Sequence, residues 1–162
     1  MMGVGKTTVG LYLSRKLSYS FIDIDNVIEK KEGVSISIIF KNKGEQYFRK
    51  LENEVTLKEL KKDKSVIALG GGAFLNKNIR RAVKNCSVSF WIDVNVELLI
   101  KRLSKTKRRP LLSKKNLNEA INKIYLERKK IYNEADFRIK SSFLTINETV
   151  NKILEHYEKT GD

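Results

Sequence analysis

Short apolar runs alternate along the chain with stretches in which apolar residues recur every three to four positions. Residues 20–24, 65–69 and 88–92 read as strands, and residues 137–139 as a weaker fourth. Helix periodicity runs over residues 6–17, 26–32, 45–62, 76–84, 95–104, 117–133 and 146–159. Strand–helix alternation of this kind predicts an α/β fold, a three-layer sandwich with helices on both faces of a parallel sheet. No internal repeat, low-complexity segment or Pro/Gly/Ser-rich linker interrupts the pattern, and Pro110 is the only proline. The 162 residues therefore read as a single domain over 1–162, long enough to bury a core without disulfide or metal staples.

Composition removes several function classes. No apolar run approaches the roughly 18 residues that a membrane span needs, so no membrane role is expected. No charged segment followed by an apolar stretch opens the chain, so no signal peptide is expected and the predicted location is the cytoplasm. One cysteine, Cys86, excludes a disulfide framework, and one histidine, His156, leaves little for His-based metal or triad chemistry. Lys+Arg number 33 against 19 Asp+Glu, a formal net charge of +14. A nucleic-acid face is one reading of that charge. Lysine is spread through nearly every segment, however, often beside acids as in Glu29-Lys30-Lys31-Glu32, which favours a solvated surface. Either surface attracts small anions.

The chemistry begins at Gly3-Val4-Gly5-Lys6-Thr7-Thr8, the second half of a Walker A loop running into a helix. The glycines let successive backbone N–H groups turn inward around phosphate oxygens. Lys6 then reaches the β- and γ-phosphates, the Thr7 hydroxyl ligates Mg²⁺, and the helix N-terminus adds its dipole. The full pattern G-x-x-x-x-G-K-[ST] would place its first glycine one position before Met1, and no strand precedes the loop. The expectation is a P-loop fold whose first, central strand is missing from this chain.

Candidate acceptor groups follow. Asp23 and Asp25 flank Ile24 at the end of the first predicted strand, and on an extended chain both carboxylates would project together. One could help hold Mg²⁺ while the other orients an attacking hydroxyl; two acids capping the next helix is the plainer alternative. Gly70-Gly71-Gly72 directly follows the second strand and permits close approach of backbone to a ligand, or forms a simple turn. On the 117–132 helix, Arg128 shares the face of Leu117, Ile121, Ile124, Tyr125 and Tyr132, where a cation needs an anion. Arg49 has Glu52 one turn along, which either aims the guanidinium at a ligand or makes an ordinary surface pair. The basic stretch from Arg102 through Arg109 and Pro110 to Leu112 has the spacing of a lid, at about 104–118, or of a solvated basic loop. Asp93, directly after the third predicted strand, superficially resembles a Walker B acid, but lacks an acidic neighbour or glycine loop and ranks below Asp23.

Taken in order, Gly3-Val4-Gly5-Lys6-Thr7-Thr8, Phe21-Ile22-Asp23-Ile24-Asp25, Gly44-Glu45-Gln46-Tyr47-Phe48-Arg49 with Glu52, Gly70-Gly71-Gly72, Arg108-Arg109-Pro110-Leu111-Leu112 and Glu127-Arg128 resemble the shikimate kinase family. The resemblance runs to about residue 140. It implies a parallel sheet of order 2-3-1-4-5 and transfer of the ATP γ-phosphoryl group to the 3-hydroxyl of shikimate, on the route to chorismate and aromatic amino acids. It implies that Asp25 contacts the acceptor hydroxyls and that Arg49, Arg128 and the Gly71–Gly72 backbone hold the carboxylate. Asp23 and Thr7 would support Mg²⁺, Gly3, Gly5, Lys6 and Thr8 would bind ATP phosphates, Arg109 would act from the lid, and Arg102 would pack on adenine. The adenine-side loop around 140–144 departs from the family in lacking an Asn-Pro element. A related sugar-acid kinase, such as a gluconate kinase, and a non-catalytic basic nucleotide- or nucleic-acid-binding domain are the competing readings. ATP and shikimate are the expected partners of a monomer, with nucleic acid disfavoured.

Overall fold

The structure, a computed structural model, describes residues 3–104 and 114–160. The chain divides into two compact units, one of residues 7–89 and one of residues 1–6 with 90–162.

The first unit carries α1 (Lys6–Leu17), β1 (Ser20–Asp23), α2 (Ile24–Glu32), α3 (Ile36–Glu59), β2 (Ser65–Ala68), a 3₁₀ turn (Ala73–Leu75) and α4 (Lys77–Cys86). β1 and β2 pair in parallel, with Ser20 opposite Ser65 and Asp23 opposite Ala68. Ile22, Ile24 and Ile28 pack with Ile39, Phe48, Leu51 and Val55 of α3. At about 1.5–3 kcal/mol per fully buried side chain, that cluster is what holds α2 and α3 together. Gly10 matters for packing, because a Cβ there would come within 2.6 Å of the Phe21 ring; its absence lets α1 lie against β1.

α3 differs from expectation. It starts at Ile36 rather than near residue 45, because Ile39 is pulled into the core, and it is broken at Gly44 (φ 79°, ψ 172°). Lys43 and Tyr47, on either side of the break, both donate to the Glu32 carboxylate of α2, at 2.6 and 2.8 Å. Those bonds, from Lys43 first and Tyr47 second, hold the Glu32 carboxyl below the usual carboxylate range.

The second unit carries β3 (Phe90–Asp93), α5 (Val96–Ser104), α6 (Lys114–Tyr132), β4 (Phe137–Lys140) and α7 (Ile146–Glu158). β3 and β4 pair in parallel, Phe90 opposite Phe137 and Asp93 opposite Lys140. Trp91, Leu99, Ile121, Ile139, Val150 and Ile153 are buried in it. A reciprocal capping box between Thr145 and Glu148 starts α7. β3 begins and ends later than the predicted 88–92, so Asp93 lies within the strand.

All strand pairing is therefore parallel, in two two-stranded sheets. Among the described residues no helix is long and apolar enough to cross a membrane. Most of the predicted lid, Arg109 included, lies outside the described residues.

Candidate active site

Gly3 and Gly5 adopt φ of 76° and 91°, in the left-handed region that glycine enters without steric cost. Backbone of this kind turns successive N–H groups toward one side, where an anion can sit. α1 begins at Lys6 and has no acidic residue in its first turn, so nothing on that turn opposes the positive end of the helix. Arg102, on α5, donates from Nη1 to the Gly3 carbonyl at 3.3 Å, which places it beside the loop.

Asp23 and Asp25 are brought together, though not as an extended pair. Asp23 ends β1 and is the N-cap of α2, whereas Asp25 is already in the first turn of that helix. Asp23 Oδ1 accepts the Asp25 N–H at 3.1 Å, and Oδ2 accepts the Thr7 hydroxyl at 2.7 Å. The helix cap and the phosphate-loop partner are thus one carboxylate. A hydroxyl and a carboxylate in contact are hard oxygen donors of the kind Mg²⁺ takes, alongside water and phosphate oxygens. Among the described residues no cluster of three or more His, Cys, Asp or Glu offers an all-protein cage; Mg²⁺ does not require one.

The β1–β2 register sets Asp23 beside Ala68, so the segments that leave the two carboxyl ends emerge together. Open α/β sheets bind ligands at that edge. A Cβ placed on Gly70 would come within 2.5 Å of Glu52 Oε1 and 2.8 Å of Asp25 Oδ1. A Cβ on Gly72 would meet the Arg49 guanidinium, at 2.6 Å from Nη1. The triple glycine is therefore not a plain turn: it gives room to two carboxylates and a guanidinium.

Arg49 is more than a surface pair. Nη1 donates to Glu52 Oε2 at 2.7 Å, while Nε and Nη2 donate to Glu45 Oε1 at 3.2 and 3.1 Å. Glu52 is 2% exposed against 36% for Arg49, so one end of the bond is sealed and the other faces outward. Burial works against the Arg49 charge, yet the hydrogen bond and field of Glu52, then those of Glu45, outweigh it and raise its pKa above the ordinary guanidinium value. A fixed, permanently charged fork of this type suits a carboxylate ligand. Gly70 and Glu45 were not assigned roles from the sequence. The glycine run already contained the first, and the i,i+4 spacing to Arg49 could have disclosed the second.

In the other unit, Arg128 is half-buried on α6, on the side of the buried Ile121 and Tyr132, as the periodicity required. Asp93 is spoken for. Arg138 binds its Oδ2 through Nε and Nη2 at 3.0 and 2.7 Å, and the Tyr125 hydroxyl donates to Oδ1 at 3.1 Å. Arg138 also lies over the Trp91 ring, 4.7 Å from its centroid. Burial, followed by the Asp93 charge, pushes the Tyr125 phenol up. This carboxylate ties β3, β4 and α6 together. Asp93→Asn should lower unfolding free energy by about 2 kcal/mol, the order of hydrogen bonds to a charged group. Urea denaturation would measure it, and an unshifted midpoint would dismiss the structural role.

The shikimate kinase family model matches residues 2–158. A shikimate kinase of Thermodesulfovibrio yellowstonii is 39% identical over 161 residues, spanning 99% of this chain and 93% of that protein. One from Persephonella marina is 41% identical over 156 residues, 94% of each. Among solved structures, shikimate kinase from Acinetobacter baumannii in complex with shikimate matches with a TM-score of 0.91 at 32% identity, over 98% of this chain and 89% of that one. Shikimate kinase from Aquifex aeolicus matches at 0.88 and 40% identity, over 99% and 94%.

Proposed function

The chain belongs to the shikimate kinase family, and we propose that it divides the transfer of the ATP γ-phosphoryl group to the 3-hydroxyl of shikimate among the residues described above. The family's activity makes it an ATP-dependent phosphotransferase with an alcohol acceptor, and the fold is the α/β P-loop kinase fold. The residue roles are our reading.

Phosphoryl transfer asks the protein mainly to position the reactants and to stabilise charge. Backbone N–H groups of the Gly3–Gly5 turn and of Thr8 would cradle phosphate oxygens, and Lys6 would neutralise the β- and γ-phosphates. Thr7 and Asp23 would hold Mg²⁺, which would supply positive charge against that of the phosphates. Asp25 would orient the acceptor hydroxyl and take its proton. Arg49, backed by Glu52 and Glu45, would hold the carboxylate together with the Gly71–Gly72 backbone and Arg128. Arg102 would flank the adenine and Arg109 would supply charge from the lid. The observation that carries this reading is the convergence at Gly70–Gly72 of an outward guanidinium and the Asp25 carboxylate. A compact acceptor bearing both a carboxylate and hydroxyls matches that pair.

The test is coupled ADP release by the purified protein with ATP-Mg²⁺ and a panel of hydroxy acids. Shikimate-dependent turnover is expected, with gluconate and quinate giving far less. Turnover on gluconate in preference to shikimate, or none on shikimate by folded protein that binds ATP, would overturn the assignment.

A further inference from the structure

The acceptor loop poses a physical problem of its own. Gly70, Gly71 and Gly72 carry no side chains to pack, and glycine loses more backbone freedom on ordering than any other residue. Its order has to come from hydrogen bonds to the backbone. Three turn bonds supply part of it: Ala73 N–H to Gly70 O, Leu75 N–H to Gly72 O and Asn76 N–H to Ala73 O, at 3.0–3.1 Å. The carbonyls at the end of a short helical turn are the ones left without partners inside it. Here those of Phe74 and Leu75 are both taken by one group, Arg80 Nη1, at 2.9 Å each.

Arg80 is itself held. Its N–H donates to Asn76 O at 3.0 Å in the first turn of α4, next to the fully buried Ile79. The Asn76 side chain caps the same helix by accepting the Asn78 N–H at 2.8 Å. The guanidinium therefore folds back over the start of its own helix and clamps the loop to it.

We infer that Arg80 is a positioning residue for the acceptor carboxylate, acting through the backbone of residues 70–75. It touches no substrate. It fixes the loop whose Gly72 lies against the Arg49 guanidinium, so that loop backbone and Arg49 present one preformed anion-binding surface. This inference rests on the functional reading above.

The experiment compares Arg80→Met and Arg80→Lys with the parent protein by steady-state kinetics and by amide hydrogen exchange without substrate. Arg80→Met should raise KM for shikimate about tenfold, the order of one lost charge-assisted hydrogen bond. KM for ATP and kcat should stay within about twofold, and Arg80→Lys, which keeps a cationic donor, should recover much of the loss. Exchange at 71–76 should quicken in Arg80→Met while α7 is unchanged. Global destabilisation would speed exchange everywhere and move both KM values, which overturns the inference. So does unchanged exchange at the loop, a result that can be read even if the parent protein proves inactive on shikimate. Inactivity of the parent would count against the functional reading alone.

Discussion

Asp25→Asn should lower kcat by about 10²- to 10⁴-fold, the usual worth of a positioned general base, with KM for both substrates little changed. Asn has nearly the same shape, and the hydrogen bond from the residue 25 N–H to Asp23 Oδ1 uses backbone that the substitution leaves alone. What is lost is one negative charge beside Gly70, in the first turn of α2. Removing an acid from a first turn costs helix stability only about 0.3–1 kcal/mol, so the protein stays folded. The activity loss therefore reports on chemistry. Stopped-time assays of ADP and phosphorylated product would measure it, and kcat within threefold of the parent would remove Asp25 from the proton-handling role.

Gly72→Ala should damage acceptor binding rather than turnover. Gly72 has φ −123°, which alanine adopts freely, so no backbone strain enters. The whole effect comes from the new methyl group, which would stand 2.6–2.9 Å from Nη1, Nη2 and Cζ of Arg49. A free arginine would swing aside at little cost. This one is bonded to the sealed Glu52 and to Glu45, and moving it breaks charge-assisted hydrogen bonds worth about 1.5–3 kcal/mol each. KM for shikimate should rise by about 10- to 100-fold while KM for ATP holds. Initial-rate kinetics with each substrate varied in turn would show the split, and equal changes in both would mean that the methyl group disturbs the fold instead.

Much of the candidate chemistry is legible in the sequence. Gly3, Gly5, Lys6 and Thr7 stand within a few residues of one another, so their geometry is local and their spacing carries it. Asp23 and Asp25 lie together, though by a geometry other than the expected one. An extended chain was expected to align them, whereas Asp23 stops the strand and caps a helix that already contains Asp25. The helix before Gly44 was missed because the run Ile36-Ser37-Ile38-Ile39-Phe40 has no clear period. It is helical in the fold because Ile39 finds a core to enter. Asp93 reads as the residue just after the strand and is instead its last residue, where Arg138, 45 residues later, binds its carboxylate.

The order of strands and helices, the phosphate-loop motif and most of the groups proposed to meet ATP or a hydroxy acid can be read from the amino-acid sequence. Those follow from periodicity and from motifs whose members are neighbours along the chain. Tertiary structure alone decided which charges are committed to the fold and which face outward. Asp93 is bound by Arg138, the Thr7 hydroxyl by Asp23, and the two carbonyls after the triple glycine by Arg80. The first of these pairings depends on the β3–β4 register, the second on how α1 lies against β1, and the third on how a short turn docks on its helix. Hydrophobic burial sets that register and docking, and only then does each charged group acquire its partner.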